Sequence, residues 1–277
     1  MAKYGMVIDV SKCTGCYGCF IACKDEHCGN DFPPYALSQP NMGHFWMRII
    51  EKERGKYPKV KADYIPVPCM HCDKAPCVEA ADNNAVYRRP DGIVIIDPEK
   101  SKNKKDIVKS CPYRVIYWNE EKGIPQKCTF CAHLLDQGWK EPRCVEVCPT
   151  GALTFGNLDD PNSEVAKLLS SAATETLHPE YGIKEKVAYI ALPKKFVAGT
   201  VIFGDTDECG RNAVVTLTSN GKKWSAKADI FGDFEFDGLE EHKKFSVKIE
   251  HPGYKPRRFN VETKNDVYLG EIVLKAQ

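Results

Sequence analysis

Cysteines dominate the chemistry that this sequence can carry: there are 14, and 13 of them lie between Cys13 and Cys148. They fall into four groups with short internal gaps. The groups are Cys13-x2-Cys16-x2-Cys19-x3-Cys23, then Cys69-x2-Cys72-x4-Cys77, then Cys111 alone, then Cys128-x2-Cys131-x12-Cys144-x3-Cys148. Two-residue gaps let one tight loop direct three sulfurs at a corner of a cubane, so the first group predicts a [4Fe–4S] cluster.

Gaps in the pattern indicate which groups share clusters, because the fourth cysteine of such a run ligates the neighbouring cluster. Ala81 stands where the second group would have its fourth cysteine, and the third group lacks its first three, at Ser101, Lys104 and Ile107. Pairing the first group with the fourth, and the second with the third, is the only arrangement that leaves no partial site. It predicts three sites: Cys13, Cys16, Cys19 with Cys148; Cys128, Cys131, Cys144 with Cys23; and Cys69, Cys72, Cys77 with Cys111.

Other interpretations of these residues are weaker. Structural zinc also uses CxxC pairs, but three cysteines at two-residue gaps are unusual for it. Cysteines two apart seldom reach disulfide geometry. Cys28 and Cys209 are left over and are predicted to be free thiols. We expect His71 to be a hydrogen-bonding or packing residue, and the cations Lys127 and Arg143 to be mostly solvated, with tuning of a cluster potential as their second possible role.

Composition and length limit the class of protein. The chain has 277 residues with 43% hydrophobic and 28% charged residues, as in a soluble globular protein. A net charge of +1 argues against a nucleic-acid binder. Residues 1–10 do not read as a signal peptide, and no run of about 18 apolar residues suggests a membrane anchor. We therefore expect a reducing, cytoplasmic location, where cysteines serve as metal ligands.

The elements that must position these cysteines occupy the first part of the chain. Residues 1–157 are predicted to form the iron–sulfur domain and residues 158–195 a connecting strap, with one helix over Ser163–Ala173. Residues 196–277 alternate apolar and polar side chains between turn signals, which predicts an all-β antiparallel sandwich or barrel. Its expected strands are Thr200–Phe203, Ala213–Thr218, Phe234–Phe236, Phe245–Ile249 and Val267–Leu274.

Several motifs carry a family resemblance that extends over nearly the whole chain. They are Cys13-Thr-Gly-Cys-Tyr-Gly-Cys19, Glu53-Arg-Gly-Lys-Tyr-Pro58, Pro68-Cys-Met-His-Cys72, residues 113–121 and Cys131-Ala-His-Leu-Leu135. Together with the four-group layout, they resemble the iron–sulfur subunits of the molybdopterin oxidoreductases related to dimethyl sulfoxide reductase. Within that family the sequence is most similar to the small subunits of pyrogallol–phloroglucinol transhydroxylases. Residues 233–237 resemble part of a transthyretin-like or carboxypeptidase-regulatory-like domain.

The resemblance implies an α+β fold with two ferredoxin-like modules. It also implies a non-catalytic subunit that forms a heterodimer with a large subunit carrying a molybdenum or tungsten bis-pterin cofactor. In such subunits the first-group cluster lies nearest the catalytic subunit, followed by the fourth-group and second-group clusters. The cluster missing here is the one that membrane-bound relatives place nearest their quinone-linked anchor. Its loss fits a complex without a membrane partner.

Three functions stay open at the level of sequence. The complex would transfer a hydroxyl group between polyphenols, or this chain would feed electrons from a ferredoxin-type donor into a reductive dehydroxylase or another molybdopterin oxidoreductase. Alternatively, the chain is a stand-alone polyferredoxin. It contains no P-loop, no GxSxG elbow and no dinucleotide fingerprint, so no catalytic site is predicted on it. The C-terminal domain is expected to extend the subunit interface rather than to bind carbohydrate or another protein.

Overall fold

Residues 2–277 are described by the computed structural model, and their contacts separate them into two units. The first unit runs to Glu51 and resumes from Asp63 to Leu192. The second unit comprises Lys52–Ala62 and Pro193–Gln277. The domain boundaries predicted from the sequence stay predictions. The division adds one feature that they lack, because residues 52–62 group with the C-terminal part of the chain.

Most strands and helices up to residue 192 are short, and the longest are α1, β2 and β3. The strands are β1 (Tyr4–Asp9), β2 (Arg48–Lys56), β3 (Lys59–Val67), β4 (Val86–Arg88), β5 (Val94–Ile96), β6 (Tyr117–Asn119), β7 (Ile124–Gln126), β8 (Leu153–Asn157), β9 (Thr174–Glu175) and β10 (Val187–Ile190). The helices are α1 (Gly18–His27), α2 (Pro76–Glu79), α3 (Asp106–Lys109), α4 (Ala132–Leu135), α5 (Arg143–Glu146) and α6 (Glu164–Ser171).

A four-stranded sheet of order β8-β1-β10-β9 organises the first unit. β1 runs antiparallel to β8 and parallel to β10. Met6, Val7 and Ile8 of β1 are at most 1% exposed, which is the continuous apolar run expected of a strand covered on both faces. β9 and β10 come from the segment predicted as a strap, so that segment supplies two strands of this sheet.

The predicted helix in the strap is confirmed as α6. Ser163 caps it, because its hydroxyl accepts a hydrogen bond from the Ala166 N–H at 3.2 Å. Val165 is fully buried. Leu169 is exposed, so the buried face of this helix is narrower than the apolar spacing suggested.

The apolar core of the first unit contains cysteines as well as aromatic and aliphatic side chains. Trp46, Phe130 and Tyr189 are among its largest fully buried members. The thiols of Cys19, Cys23, Cys69 and Cys144 are buried in the same cluster. Thiols in an apolar core are kept away from water. Such burial suits iron–sulfur clusters, which transfer electrons while their thiolate ligands stay bound.

The second unit contains two sheets. Its strands are β11 (Lys195–Phe203), β12 (Val214–Ser219), β13 (Lys222–Lys227), β14 (Asp233–Leu239), β15 (Lys244–Glu250), β16 (Arg257–Glu262) and β17 (Val267–Leu274). One sheet has the order β14-β11-β17 and the other β13-β12-β15-β16. Strict alternation in β15 buries Phe245, Val247 and Ile249, and these side chains pack in one core with buried residues of the other sheet.

The predicted β-rich C-terminal region is confirmed, but the expectation of a wholly antiparallel arrangement is wrong for one pair. β11 and β17 are parallel, with Val201 opposite Ile272. The chain reaches β17 from β16 of the other sheet, and a strand that crosses between sheets can enter in either direction. Alternation of apolar residues encodes the face of a strand and not its direction.

Lysines of residues 52–62 pair with carboxylates of β14 within the second unit. Lys61 bonds Glu235 and Asp237, and Lys59 lies 2.8 Å from Glu235. Partial burial by itself would raise the pKa of Glu235 and of Asp237, but hydrogen bonds from these lysines hold both below their ordinary values. Burial opposes a raised pKa at Lys61, yet its two carboxylate partners raise it.

A Lys61→Met variant is therefore expected to lose about 1 kcal/mol or less in the stability of the second unit. Because the pKa values of the two carboxyls are lowered in the folded protein, their ionised forms stabilise it above roughly pH 4. Because the pKa of Lys61 is raised, its charged form stabilises the folded protein below roughly pH 10.5. The stability lost in Lys61→Met should therefore be the same at every pH between roughly 6 and 9. The lost stability is measured as a fall in the hydrogen-exchange protection of the β14 amides. Lys223→Met in β13, exposed and without an ion pair among residues 2–277, is the control. A loss that vanishes at pH 6 contradicts the pairing.

Candidate metal centres

The first candidate centre forms at the start of α1. Cys13 and Cys16 lie in the loop before the helix, and Cys19 lies in its first turn. Gly15 in this loop has φ +67°, and a Cβ there would lie 2.6 Å from the Tyr64 ring, so a larger residue does not fit. Burial raises the pKa of Cys19 to about 12. Neighbouring thiols add to that rise, and they are Cys13, Cys148 and Cys16.

Cys148 thus lies beside the first group, although it is 129 residues from Cys19 along the chain. Partial burial would raise the pKa of Cys148, but hydrogen bonds from residues 150–153 bring it below its ordinary value. The Thr150 hydroxyl is 3.8 Å from the Cys148 sulfur. Donors around this sulfur favour the thiolate, which is the form that binds iron.

The second candidate centre joins the fourth group to Cys23 of α1. Burial raises the pKa of Cys144 well above its ordinary value, and neighbouring thiols add to the rise: Cys131, Cys128, Cys23 and Cys19. After burial, Cys128 and Cys131 raise the pKa of Cys23 more than Cys19 of its own run does. The last cysteine of the first group therefore lies with the fourth group.

The third candidate centre surrounds a small cavity. Four thiols line it: Cys69, Cys72, Cys77 and Cys111. Burial raises the pKa of Cys72, and the other three thiols and Glu185 raise it further. The remaining wall is largely apolar, including Val94, Val115 and Ile183. Four sulfurs on the wall of one apolar cavity are the number of thiolates that a cubane binds.

Side chains fill the place where a fourth centre would need ligands. Ile107 is fully buried in a small apolar cluster, and Ala81 packs against it. Ser101 is also fully buried. Lys104 forms an ion pair with Asp82. These residues stabilise the fold around α3 and leave no thiol set there.

The three centres follow one another in space. The charge of Cys19 raises the pKa of Cys144, which connects the first centre to the second. After burial, Cys69 is the largest cause of the raised pKa of Cys128, which connects the second centre to the third. Thiols of the first and second candidate centres therefore lie near one another, and so do thiols of the second and third.

Several predictions about single residues can be compared with the structure. His71 is confirmed as a hydrogen-bonding and packing residue: its Nδ1 accepts the Val94 N–H at 3.0 Å, and its ring lies 3.8 Å from that of Phe130. The Cys28 sulfur lies 3.6 Å from the Pro40 carbonyl oxygen. Among residues 2–277 every cysteine is a free thiol, so disulfides are not formed.

The prediction for Lys127 is wrong. It was expected to be solvated, but it is 2% exposed. Apolar residues of β5 and β7 enclose its side chain. Those of β5 are distant from Lys127 in sequence, and those of β7 form too short an apolar run to indicate burial. Arg143 is partly exposed and pairs with Glu26 and Glu146. Nothing in the local sequence of Lys127 distinguishes it from an exposed lysine, so sequence reasoning had no signal to find it.

The donor sets suit clusters in their chemistry and spacing. Each set has four sulfurs, and those of the second and third sets are buried or partly buried, whereas Cys16 of the first set is exposed. Within residues 2–277, no three His, Cys, Asp or Glu side chains converge on a position for a single ion. A cubane is compatible with that spacing, because each thiolate binds a different iron.

Comparison with known proteins gives the family. The profile of the 4Fe-4S dicluster domain matches residues 60–158. The pyrogallol hydroxytransferase small subunit of Pelobacter acidigallici is 46% identical over 99% of this chain and 100% of its own length. A putative dimethyl sulfoxide reductase iron–sulfur subunit of Halobacterium salinarum is 36% identical, over 69% of this chain and 79% of that one.

A third relative extends the comparison to another substrate. The arsenate respiratory reductase iron–sulfur subunit of a Shewanella species is 32% identical, over 68% of this chain and 96% of its own. No helix within residues 2–277 is long and apolar enough to cross a bilayer. With full-length coverage at 46% identity, the chain belongs to the family of iron–sulfur subunits of dimethyl sulfoxide reductase-type molybdopterin oxidoreductases.

Proposed function

We propose that this chain is an electron-transfer subunit with three [4Fe–4S] clusters, docked on a large subunit with a molybdenum or tungsten bis-pterin cofactor. The ligand sets are those predicted from the spacing: Cys13, Cys16, Cys19 and Cys148; Cys128, Cys131, Cys144 and Cys23; Cys69, Cys72, Cys77 and Cys111. The observation that supports the proposal most is that Cys23 lies beside Cys128 and Cys131, and Cys148 beside Cys13, because exchange of the fourth cysteine between runs is typical of paired cubane sites.

The residues of this chain have three tasks in that function. The thiolates hold the clusters, each of which accepts and releases one electron when bound. Backbone N–H groups, such as those beside Cys148 and Cys111, favour the thiolate form. Burial of Cys23 and Cys144 excludes water from the ligand bonds. No group of this chain is assigned to catalysis, so bond making takes place on the large subunit.

The complex is proposed to move a hydroxyl group between polyphenols, because a full-length relative is the small subunit of a pyrogallol hydroxytransferase. This transfer is redox-neutral overall, so the clusters buffer electrons and do not consume them. We place the complex in the reducing cytoplasm of anaerobic cells. The C-terminal unit, which we take to be a transthyretin-like or carboxypeptidase-regulatory-like sandwich, extends the interface with the large subunit.

Anaerobic co-purification with metal analysis tests this function. We expect a large molybdenum- or tungsten-containing partner, about twelve irons on this chain, and turnover of a phenol with only a hydroxylated co-substrate. A stable monomer that is active alone as a carrier would identify a polyferredoxin instead. Strict dependence on an external reductant would rule out hydroxyl transfer.

A second candidate function is electron input to a reductive dehydroxylase, and the charge of residues 99–114 favours it. Six lysines and arginines and only two carboxylates lie in this segment, in a chain of net charge +1. It contains Cys111, a proposed ligand of the second-group cluster. Lys102, Lys109 and Arg114 are exposed and form no ion pair among residues 2–277. A basic surface beside a cluster suits an acidic ferredoxin-type donor.

Charge reversal of Lys102, Lys109 and Arg114 to glutamate is the matching prediction. If such a donor docks here, it should reduce the variant about tenfold more slowly at low salt, and the difference should shrink at high salt. Dithionite, a small reductant, should reduce both proteins equally. The control reverses three exposed lysines of β13, namely Lys222, Lys223 and Lys227. Equal rates for both triple variants would exclude docking at residues 99–114.

A further inference from the structure

Lys127 is a buried cation without a buried counter-charge. Its ammonium donates to the carbonyl oxygens of Val94 and of Cys128, the latter at 3.1 Å. It forms no ion pair with a carboxylate among residues 2–277. An isolated charge in an apolar interior costs several kcal/mol unless an opposite charge lies nearby. Something in its surroundings must therefore supply negative charge.

The surroundings of Lys127 indicate where that charge comes from. Lys127 lines the same cavity as Cys69, Cys72, Cys77 and Cys111. The described residues that line this cavity include no carboxylate and, besides Lys127, no lysine or arginine. A cluster held by four thiolates is anionic, so it provides the counter-charge that the protein itself lacks.

A second donor lines this cavity. His71 is fully buried and accepts the Val94 N–H at Nδ1, which leaves the proton of the neutral ring on Nε2. That Nε2 has no hydrogen-bond partner within residues 2–277. Glu185 accepts a hydrogen bond from the Tyr113 hydroxyl at 2.6 Å and is not among the residues that line the cavity. The cavity wall therefore offers one full positive charge and one free N–H.

We propose that the buried charge of Lys127 raises the reduction potential of one cluster. That cluster is the one held by Cys69, Cys72, Cys77 and Cys111. The inference rests on the proposed three-cluster assignment. Reduction adds one electron to the cluster from its neighbour, and no bond forms or breaks. The added negative charge is stabilised by the ammonium across an interior from which water is excluded.

The position of Lys127 makes the effect selective. Besides lining the second-group cavity, Lys127 directly precedes Cys128 of the neighbouring centre, and its ammonium donates a hydrogen bond to the Cys128 carbonyl oxygen at 3.1 Å. No first-group cysteine lines the cavity that Lys127 lines. Electrons are consequently held at the two clusters beside Lys127, away from the first-group cluster.

The test is a redox titration of the intact complex, followed by electron paramagnetic resonance. Lys127→Gln keeps a donor for the two carbonyl groups but removes the charge. We expect at least a tenfold fall in the equilibrium constant for reducing the second-group cluster, about 59 mV for one electron. A smaller fall is expected for the fourth-group cluster and none for the first-group cluster. Lys127→Arg should restore the potential.

Lys12→Met is the matched control, because Lys12 directly precedes the proposed ligand Cys13, as Lys127 precedes Cys128, but is exposed to solvent. It should leave all three potentials unchanged. Unchanged potentials in Lys127→Gln, or equal shifts at all three clusters, would overturn the inference. Lys127→Met is prepared in parallel in case the Gln variant loses iron. Loss of iron in both, with retention in Lys127→Arg, would assign Lys127 to folding and likewise overturn it.

Wild-type protein separates this inference from the function on which it rests. Three reducible clusters and about twelve irons in the wild type support the proposed function whatever the variants do. Fewer or more clusters in the wild type would refute the assignment before Lys127 is considered.

Discussion

Cys111→Ala is expected to remove one complete cluster and leave two. Cys111 is the only cysteine of the third group, and neither Ser101 nor Ile107 can replace it, because Ser101 does not line the cavity of the other three thiols and Ile107 has no ligand atom. Burial raises the pKa of Cys111, while hydrogen bonds from the backbone of Val115, Tyr113 and Arg114 oppose the rise and favour a thiolate. Iron should fall from about twelve toward about eight per chain.

The readout for Cys111→Ala is iron and acid-labile sulfide per chain, with the spectrum of the reduced protein. Signals of the other two clusters should persist, since their thiols belong to other groups. Cys28→Ala is the control, because Cys28 belongs to none of the proposed ligand sets and its sulfur lies 3.6 Å from the Pro40 carbonyl oxygen. Full iron content in Cys111→Ala would show that the third group holds no cluster.

Cys23→Ala is expected to damage the fourth-group cluster, although Cys23 lies one helical turn after Cys19. Of the neighbouring thiols, Cys128 and Cys131 have the largest effects on the pKa of Cys23. Double variants make this measurable, because two ligands of one cluster act as a unit and ligands of different clusters act independently. Cys23→Ala with Cys144→Ala should leave about eight irons. Cys23→Ala with Cys13→Ala should leave about four.

The reverse result has a clear meaning. Suppose that the double variant Cys23→Ala with Cys13→Ala retains about eight irons, and that Cys23→Ala with Cys144→Ala retains about four. Each run then holds its own cluster, and no ligand is exchanged. Cys148→Ala gives an independent check from the other side, since it should behave as a first-group ligand. Cys209→Ala, an exposed thiol of the second unit, should retain all of the iron.

The cysteine groups are predictable from sequence because loop ligation is local: two-residue gaps already restrict which sulfurs converge. The four positions without cysteine are equally informative. Ala81 and Ile107 pack in an apolar cluster, which local spacing cannot reveal but which agrees with the absence of a ligand set there. The helix α6 and most strands of the second unit follow from periodicity in the same way.

Two strands of the second unit are missed for a physical reason. β13 (Lys222–Lys227) and β16 (Arg257–Glu262) lie at the edges of their sheet and carry mostly exposed polar side chains. An edge strand with little buried surface lacks the alternation that identifies β15. Their positions depend on pairing with β12 and β15.

Burial of Lys127 and the grouping of residues 52–62 with the C-terminal unit are also beyond sequence reasoning. Both depend on contacts between segments far apart in the chain. Arg54 pairs with Asp266 at 3.3 Å with both side chains almost fully buried, and no local pattern around either residue indicates it. Local spacing therefore predicts candidate ligands, whereas the charged surroundings of those residues depend on contacts that it does not contain.

An anomalous difference map at the iron edge, from anaerobically grown crystals of the complex, tests the three-cluster assignment most directly. We expect three four-iron groups on this chain, with Cys148 at the group of Cys13, Cys23 at the group of Cys144, and Cys111 at the group of Cys69. Two or four iron groups, or Cys23 bound to the same group as Cys13, would contradict the assignment.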